Sequence, residues 1–407
     1  MILQDIRQTF AATFRSNSGA APFFTSVIVW SIGIGCFSAS LNNFLVDVYD
    51  LNQLQRGLLE FFRELPGLLL VFLLALLHRT SDWQILRIGT LTSMVGVIAL
   101  CIPANQLAVS LLIMIWSTGE HLAMPVRSAI AMQIARDGKT GASLGFVSSA
   151  QNAGHVLGNL LVAAIFLVGT AVIGITHQAA LYNVVWGLIF LLTAASVLCT
   201  LSRRAPRIPS KRPRLLLRRK FTIFYALELF YGARKQIFLT FGPFVLIRIY
   251  GIDTTHMALL MGVSASINMF AGPWVGMLTD RIGYRTVMVY DTFILVFVCL
   301  FYGYAGDWFP RSVALWIVCA NFLLDALIST TALATNMYVR DVAANPDEVT
   351  STLSTGISIN HLISVLAAPL GGWVWMRWGV GTLFSLAALL AIANSFCAMQ
   401  IAVRKPA

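Results

Sequence analysis

The chain has 407 residues, 58% of them apolar and only 11% charged, with a mean hydropathy of +0.78. Soluble domains carry roughly a quarter charged residues, so these charges are too few to cover a water-exposed surface and lipid must cover it instead. The net charge of +11 would suit a nucleic-acid binder, but the placement of the basic residues, given below, excludes that class.

Twelve apolar stretches are long enough for spanning helices, which need ~20 mostly apolar residues. In chain order they are 22–46, 54–77, 85–104, 107–134, 142–168 and 179–201, then 221–247, 256–278, 286–305, 312–338, 349–374 and 380–402. Residues 1–17, ahead of the first span, lack the apolar core of a cleaved leader. The cysteines Cys36, Cys101, Cys199, Cys299, Cys319 and Cys397 all lie inside apolar runs with no paired spacing. They read as small buried hydrophobes, so neither a disulfide framework nor a metal site nor a cofactor is expected.

An even number of spans puts both termini on one side. Placing them inside leaves only Arg248, Arg311 and Arg377 in outer loops. Five basic residues then fall within spans and the rest lie inside, as the positive-inside rule demands. The longest inner loop, 202–220, holds nine basic residues, no acidic one, and Pro206, Pro209 and Pro213. It reads as a solvated linker on the cytoplasmic membrane surface. The expected organisation is therefore an all-α integral membrane fold with three parts: a six-helix bundle over 1–201, a basic linker over 202–220 and a second six-helix bundle over 221–407.

The two halves repeat. The fourth and tenth spans each end in an Arg-Asp pair, Arg136-Asp137 and Arg340-Asp341. Two similar bundles imply a path between them with a solute site where they meet.

The second half contains Gly276-Met277-Leu278-Thr279-Asp280-Arg281-Ile282-Gly283-Tyr284-Arg285. This loop resembles the signature Gly-x-x-x-Asp-Arg-x-Gly-x-Arg of the major facilitator superfamily. The first-half copy, Leu74 to Trp83, keeps only Arg79. The resemblance covers the whole chain in helix count, halves and linker, but only this loop in sequence. It implies two pseudo-symmetric six-helix bundles. It also implies a cytoplasmic latch at Gly276, Asp280, Arg281, Gly283 and Arg285, with Asp280 able to cap a helix and the arginines able to hold carboxylates or carbonyls.

Ionisable residues within spans cost ~2.5–3.5 kcal/mol each on insertion scales, so they face a bundle interior or water. Near the middle of the fourth span lie Glu120 and His121, with Arg127 two turns on. The tenth span carries Asn321 and Asp325, and the seventh carries Glu228, Tyr231, Arg234 and Lys235. Asn152 and His155 lie in the fifth span, His361 in the eleventh and Asn42 in the first. The resemblance implies that the spans carrying these residues line or flank the central cavity. Among the remaining spans only Asp291 stands out. Together Asn42, Glu120, His121, Arg127, Asn152, His155, Tyr231, Arg234, Lys235, Asn321, Asp325 and His361 are the candidate solute contacts. The second span bears the densest cluster, Arg56, Glu60, Arg63 and Glu64, spaced to share one stripe just before Pro66-Gly67. It reads either as a self-neutralising ladder or as an outer gate. Glu64, Glu120 and Asp325 are the proton-carrying candidates, because a low dielectric favours the neutral carboxyl.

These readings converge on a secondary active transporter of a small organic solute, working by alternating access with protons as coupling ion. It is expected in the inner (plasma) membrane, multi-pass, with cytoplasmic termini. Its partners are the solute, protons and lipid, without nucleic acid, and the two-bundle design needs no second subunit. No Gly-x-x-x-x-Gly-Lys-Ser/Thr loop is present. Glu120-His121 is not a His-Glu-x-x-His motif and no nucleophile constellation occurs, so an enzyme is not expected. The alternatives are a metal-ion exporter, using Glu120, His121, His155, Asp325 and His361, and a non-transporting membrane sensor.

Overall fold

The computed structural model describes residues 9, 10, 12–14, 19–102, 105–201 and 217–401. Most of the basic linker 202–220 and of both tails lies outside the described residues. Thirteen α-helices occur among those that are described: α1 (Ala20–Asp47), α2 (Gln53–Leu68), α3 (Leu70–Leu76), α4 (Asp82–Ala99), α5 (Gln106–Ile134), α6 (Thr140–Leu167), α7 (Gln178–Leu201), α8 (Thr222–Arg248), α9 (Thr254–Ile282), α10 (Tyr284–Trp308), α11 (Arg311–Ser329), α12 (Ala332–Val342) and α13 (Pro346–Met399). The fold is all-α. Each apolar stretch read from the sequence falls on a helix or a pair of helices.

The pairs mark where one stretch is broken. The second stretch divides at Leu69, three residues after Pro66, whose ring removes an N–H and crowds the preceding turn. The tenth divides at Thr330 and Thr331. The last two run together as α13, interrupted only at Gly379 with φ 87°, a backbone that glycine adopts without steric cost. Seven helical stretches are long and apolar enough to cross a membrane, or eight if the pair around Ala271 and Trp274, bent by 44°, is counted as one. The number twelve therefore rests on the sequence. Helix α2 falls short in length at 16 residues, and α8 carries an ionisable cluster inside its apolar run.

Helix starts follow local chemistry. Ser81 caps α4 and exchanges hydrogen bonds with Gln84 in a capping box. Asn105 caps α5, its side chain accepting from the Ala108 N–H at 2.8 Å. Asn345 caps α13 and is followed by Pro346.

The described residues form two compact units. Unit 1 draws on Met1–Val48, Leu69–Ser210 and Thr254–Ala265; unit 2 draws on Tyr49–Leu68, Lys211–Asp253 and Ser266–Ala407. In unit 1, α1 packs on α6 and α7, and α4 packs on α5 and α7. Small residues let these backbones touch: a Cβ at Gly35 would lie 2.6 Å from the His155 carbonyl oxygen, and one at Gly89 would lie 2.6 Å from that of Gly119. Such close approach lets van der Waals packing and hydrogen bonds hold helices together where lipid removes the hydrophobic drive. In unit 2, α13 packs on α2, α8 and α10, while α10 packs on α11 and α12. Large apolar side chains such as Phe72, Leu76, Phe270 and Trp316 stay exposed, as suits surfaces that lipid covers.

Candidate functional site

Unit 1 builds its charged centre from α1, α5 and α6. Two turns of α5 separate Glu120 from Arg127, so their heads meet along one face. The Arg127 guanidinium donates through Nη1 to Glu120 Oε1 at 3.1 Å and through Nη2 to Oε2 at 2.8 Å. From α1, the Trp30 indole N–H donates to the same Oε2 at 3.0 Å, and Arg127 Cζ lies 5.0 Å from the Trp30 ring. Arg127 is 4% exposed at its side chain and Glu120 is 22% exposed, so the carboxylate is the open end of the pair. His155, half-buried on α6, lies within electrostatic reach of both. His121 is buried, its Nδ1 2.9 Å from the Ser117 carbonyl oxygen and 3.0 Å from the Ser117 hydroxyl. Both of these contacts are with its own helix. Asn42 is buried on α1 and Asn152 half-buried on α6.

Unit 2 builds its centre from α2, α8, α11 and α13. Arg234 Nη1 donates to Asp325 Oδ1 at 2.6 Å, joining α8 to α11. Here too the arginine is enclosed, 3% exposed, while its carboxylate is 17% exposed. Arg234 Cζ lies 5.3 Å from the Tyr231 ring and 5.8 Å from that of Phe238, so aromatic faces share the charge. The Tyr231 hydroxyl donates to the Ser329 carbonyl at 3.4 Å. Asn321 donates back to the Ile317 carbonyl of its own helix. The carboxylate of Glu228 accepts from Asn360 on α13 at 3.4 Å. Lys235 is half-buried and feels Glu64 and Glu228 electrostatically. It makes no hydrogen bond or ion pair with the described residues.

The cluster on α2 forms the ladder that its spacing implies. Arg56 pairs with Glu60 at 2.8 Å, Arg63 pairs with Glu60, and Arg63 pairs with Glu64 at 2.5 Å. The far oxygen of Glu64 meets His361 Nδ1 of α13 at 3.1 Å. Beside this ladder the helices touch through glycines, Gly57 against Ala368 and Pro369 and Gly372 against Gln53 and Leu54.

The loop Gly276 to Arg285 departs from expectation in one respect. Asp280 sits on the last turn of α9, and the residue ahead of α10 is Gly283, with φ 82° and no side-chain cap. Asp280 therefore caps no helix. Asp280 and Arg281 are exposed, and neither they nor Arg285 pair with any described residue. An ion cluster forms instead at the start of α13. Arg218 and Lys220, at the end of the basic linker, both pair with Glu348, and the Ala344 N–H donates to it at 2.6 Å. The Ala344 N–H, Lys220 and Arg218 together pull the Glu348 carboxyl down to about 2. The last linker residues are thus docked on a helix start and not merely solvated.

Two contributors were missed in the sequence. Trp30 carried no signal beyond a tryptophan next to Ser31, and its role needs the α1–α5 contact. Glu348 is an acidic residue three positions after an Asn-Pro start, which could have pointed to a site for the basic linker. No trio among Glu120, His121, His155, Asp325 and His361 gathers within either unit.

The profile described as Major Facilitator Superfamily matches residues 23–359. Among solved structures, the chain is similar to an Asp-to-Ala mutant of nucleoside transporter NupG, with a TM-score of 0.76 at 14% identity over 94% of this chain and 99% of that one. It is similar also to a POT family transporter in complex with a thioalcohol conjugated peptide, with a TM-score of 0.71 at 11% identity over 93% and 94%. Another such likeness is to a POT family transporter in complex with 5-aminolevulinic acid, with a TM-score of 0.70 at 12% identity over 93% and 94%. These likenesses concern the fold. No curated protein sequence matches.

Proposed function

Because the chain belongs to the major facilitator superfamily, whose members are secondary transporters of small solutes, we propose that it carries a small organic anion or zwitterion across the inner membrane in exchange with, or together with, protons. The proposed working parts are the two six-helix halves, 1–201 and 221–407, alternating access to a site near their middles, with both termini cytoplasmic. The observation that carries this reading is the Arg234–Asp325 pair. An enclosed arginine is held there by one partly open carboxylate through a single Nη1 bond.

The chemistry follows from that asymmetry. A guanidinium has five N–H donors and prefers two parallel bonds to an oxyanion. Asp325 takes one of them. A carboxylate or phosphate on the solute fits the remaining donors and competes for the charge. A proton on Asp325 releases Arg234 to the solute; loss of that proton returns the carboxylate and ejects the solute. Proton and solute are thereby linked through one cation. Lys235 and Glu228 supply further charges of both signs on α8, which suits a zwitterion. The Glu120–Arg127 pair, closed by two bonds and by Trp30, acts as a fixed polar wall.

Purified protein in liposomes with a trapped pH dye tests this. The panel is nucleosides, short peptides, 5-aminolevulinic acid and simple organic anions. Solute-triggered proton movement that disappears in Asp325→Asn is the expected result. A labelled solute that crosses with no proton movement and no pH dependence would replace coupling with uniport or exchange. Binding confined to divalent metal ions would replace the organic solute with the metal-export reading.

A further inference from the structure

Asp291 lies two turns into α10, next to Thr292 in an otherwise mostly apolar stretch, and takes no part in the site above. Most other carboxylates within the apolar stretches differ from it; Glu228, which accepts from Asn360, is the other one without an arginine in ion-pair distance. Glu60, Glu64, Glu120 and Asp325 each have an arginine within ion-pair distance. Asp291 has none. Its nearest polar contact is Thr331, in the break between α11 and α12, whose hydroxyl oxygen lies 2.6 Å from Asp291 Oδ2. The same hydroxyl oxygen lies 2.7 Å from the Ile328 carbonyl oxygen. Thr331 occupies the cap position of α12, yet its side chain caps nothing there.

Counting protons decides what this cluster is. Two oxygen–oxygen contacts of this length each need a hydrogen between them, because O–H···O bonds run about 2.5–3.0 Å and bare oxygens at that range repel. Thr331 owns one hydroxyl proton. An ionised Asp291 would leave one contact empty. A neutral Asp291 fills both: its carboxyl proton goes to Thr331 Oγ1, and the Thr331 proton goes to Ile328. The other oxygen, Oδ1, has the Thr292 hydroxyl at 3.4 Å, a hydroxyl that lies equally far from the Met288 carbonyl, and the carboxyl also takes a backbone hydrogen bond from Thr292. A half-buried carboxylate with few donors and no cation within ion-pair distance is costly to keep charged, so the neutral form is also the cheaper one. The charged and titratable groups that reach it are Arg234 and Tyr231 of α8, with Asp325 of α11 bound to that same Arg234.

We propose that Asp291 holds a proton in this state, hydrogen-bonded to Thr331 at the helix break, and that its proton exchanges during transport in addition to that of Asp325. The assignment rests on the proton-coupled reading given above and adds a site behind the solute arginine. The step balances simply. The neutral carboxyl loses one proton to water on one side of the membrane and becomes a carboxylate that Arg234 attracts. Arg234 is thereby drawn from Asp325, and uptake of a proton from the other side resets the cluster. The α11–α12 break supplies the give that this shift needs.

Infrared spectroscopy of the purified full chain reads the proton directly, since a neutral carboxyl has a carbonyl stretch apart from those of carboxylates and amides. The wild type should show this band, shifted in heavy water. Asp291→Asn should lose it and Asp325→Asn should keep it. Thr331→Val should shift the band, whereas Thr331→Ser should leave it in place. A band that survives Asp291→Asn, is missing from the wild type, or is unmoved in Thr331→Val overturns the assignment. In liposomes, with tritiated nucleosides and dipeptides as probes, Asp291→Asn should still exchange label between equal pools but lose accumulation driven by a pH gradient. Accumulation at the wild-type level would overturn the coupling role. Absent proton movement in the wild type would instead sink the reading in the preceding subsection, while the infrared band decides the protonation of Asp291 by itself.

Discussion

The two arginine–carboxylate pairs look alike in residue type and differ in what they leave free. In unit 1, Glu120 and Arg127 belong to one helix, meet through two parallel hydrogen bonds and are covered by Trp30 from α1. In unit 2, Arg234 and Asp325 come from different helices and share one bond. A pair within one helix moves as one body and is satisfied internally. A pair that bridges two helices reports any shift between them and keeps donors for a ligand. The contrast teaches that an intramembrane salt bridge is not a functional unit by its chemistry alone. The number of unsatisfied donors, and whether the partners can part, separate a wall from a switch.

The strongest challenge to that contrast is Arg234→Gln. It should abolish transport and, by stranding Asp325 among apolar side chains, destabilise the chain by about 3–5 kcal/mol. Thermal unfolding in detergent would show this. Adding Asp325→Asn should restore most of the stability and none of the transport. If the double variant transports normally, the bridging pair is not the exchange site. Next in size is the matched double variant Glu120→Gln with Arg127→Gln. It should keep measurable flux, since this pair is a wall; complete loss would erase the distinction between the units. Trp30→Phe removes one neutral donor from an already doubly bonded carboxylate and should cost about 1 kcal/mol, visible as a small drop in melting temperature with flux retained.

The smallest effect concerns the linker. Glu348 is held below its ordinary range by the Ala344 N–H, Lys220 and Arg218. A depressed carboxyl stabilises the fold above its unfolded value, 4.5, and that contribution fades as pH falls toward about 2. Wild type and Glu348→Gln should therefore differ in melting temperature at neutral pH and converge on acidification. A difference that grows on acidification would contradict the docking of the linker end.

Much of this architecture was readable from periodicity and composition. The apolar runs fell on helices because burial in lipid demands long hydrophobic stretches with every backbone group paired inside the helix. The ladder on α2 was readable too, since Arg56, Glu60, Arg63 and Glu64 are close in sequence and helical spacing aligns them. The Arg234–Asp325 bond was not. Its partners are 91 positions apart, and spacing says nothing about which helices adjoin. The break at Thr330 and Thr331 was equally hidden, because it has no proline or glycine and depends on what α10 offers across the contact. The loop at Asp280 misled for a related reason. Its pattern resembles a family signature, and a signature lists residue types without saying which of them ends a helix.

The packing of α2 has a consequence for synthesis. Gln53–Leu68 contains four charges and leans through Gly57 and Glu64 on Ala368, Pro369 and His361. Those partners leave the ribosome about 300 residues later, and contacts so distant in sequence form late. Until then, the segment has to wait in the insertion machinery or at the interface with its ladder closed on itself. The internal pairing of Arg56, Glu60, Arg63 and Glu64 thus works as a provisional neutralisation, carrying a polar helix through the interval before the last helix arrives to claim it. With a single cysteine introduced into this segment, a nascent chain arrested before His361 should leave it open to water-soluble cysteine reagents, while cysteines in the spans around it are already protected.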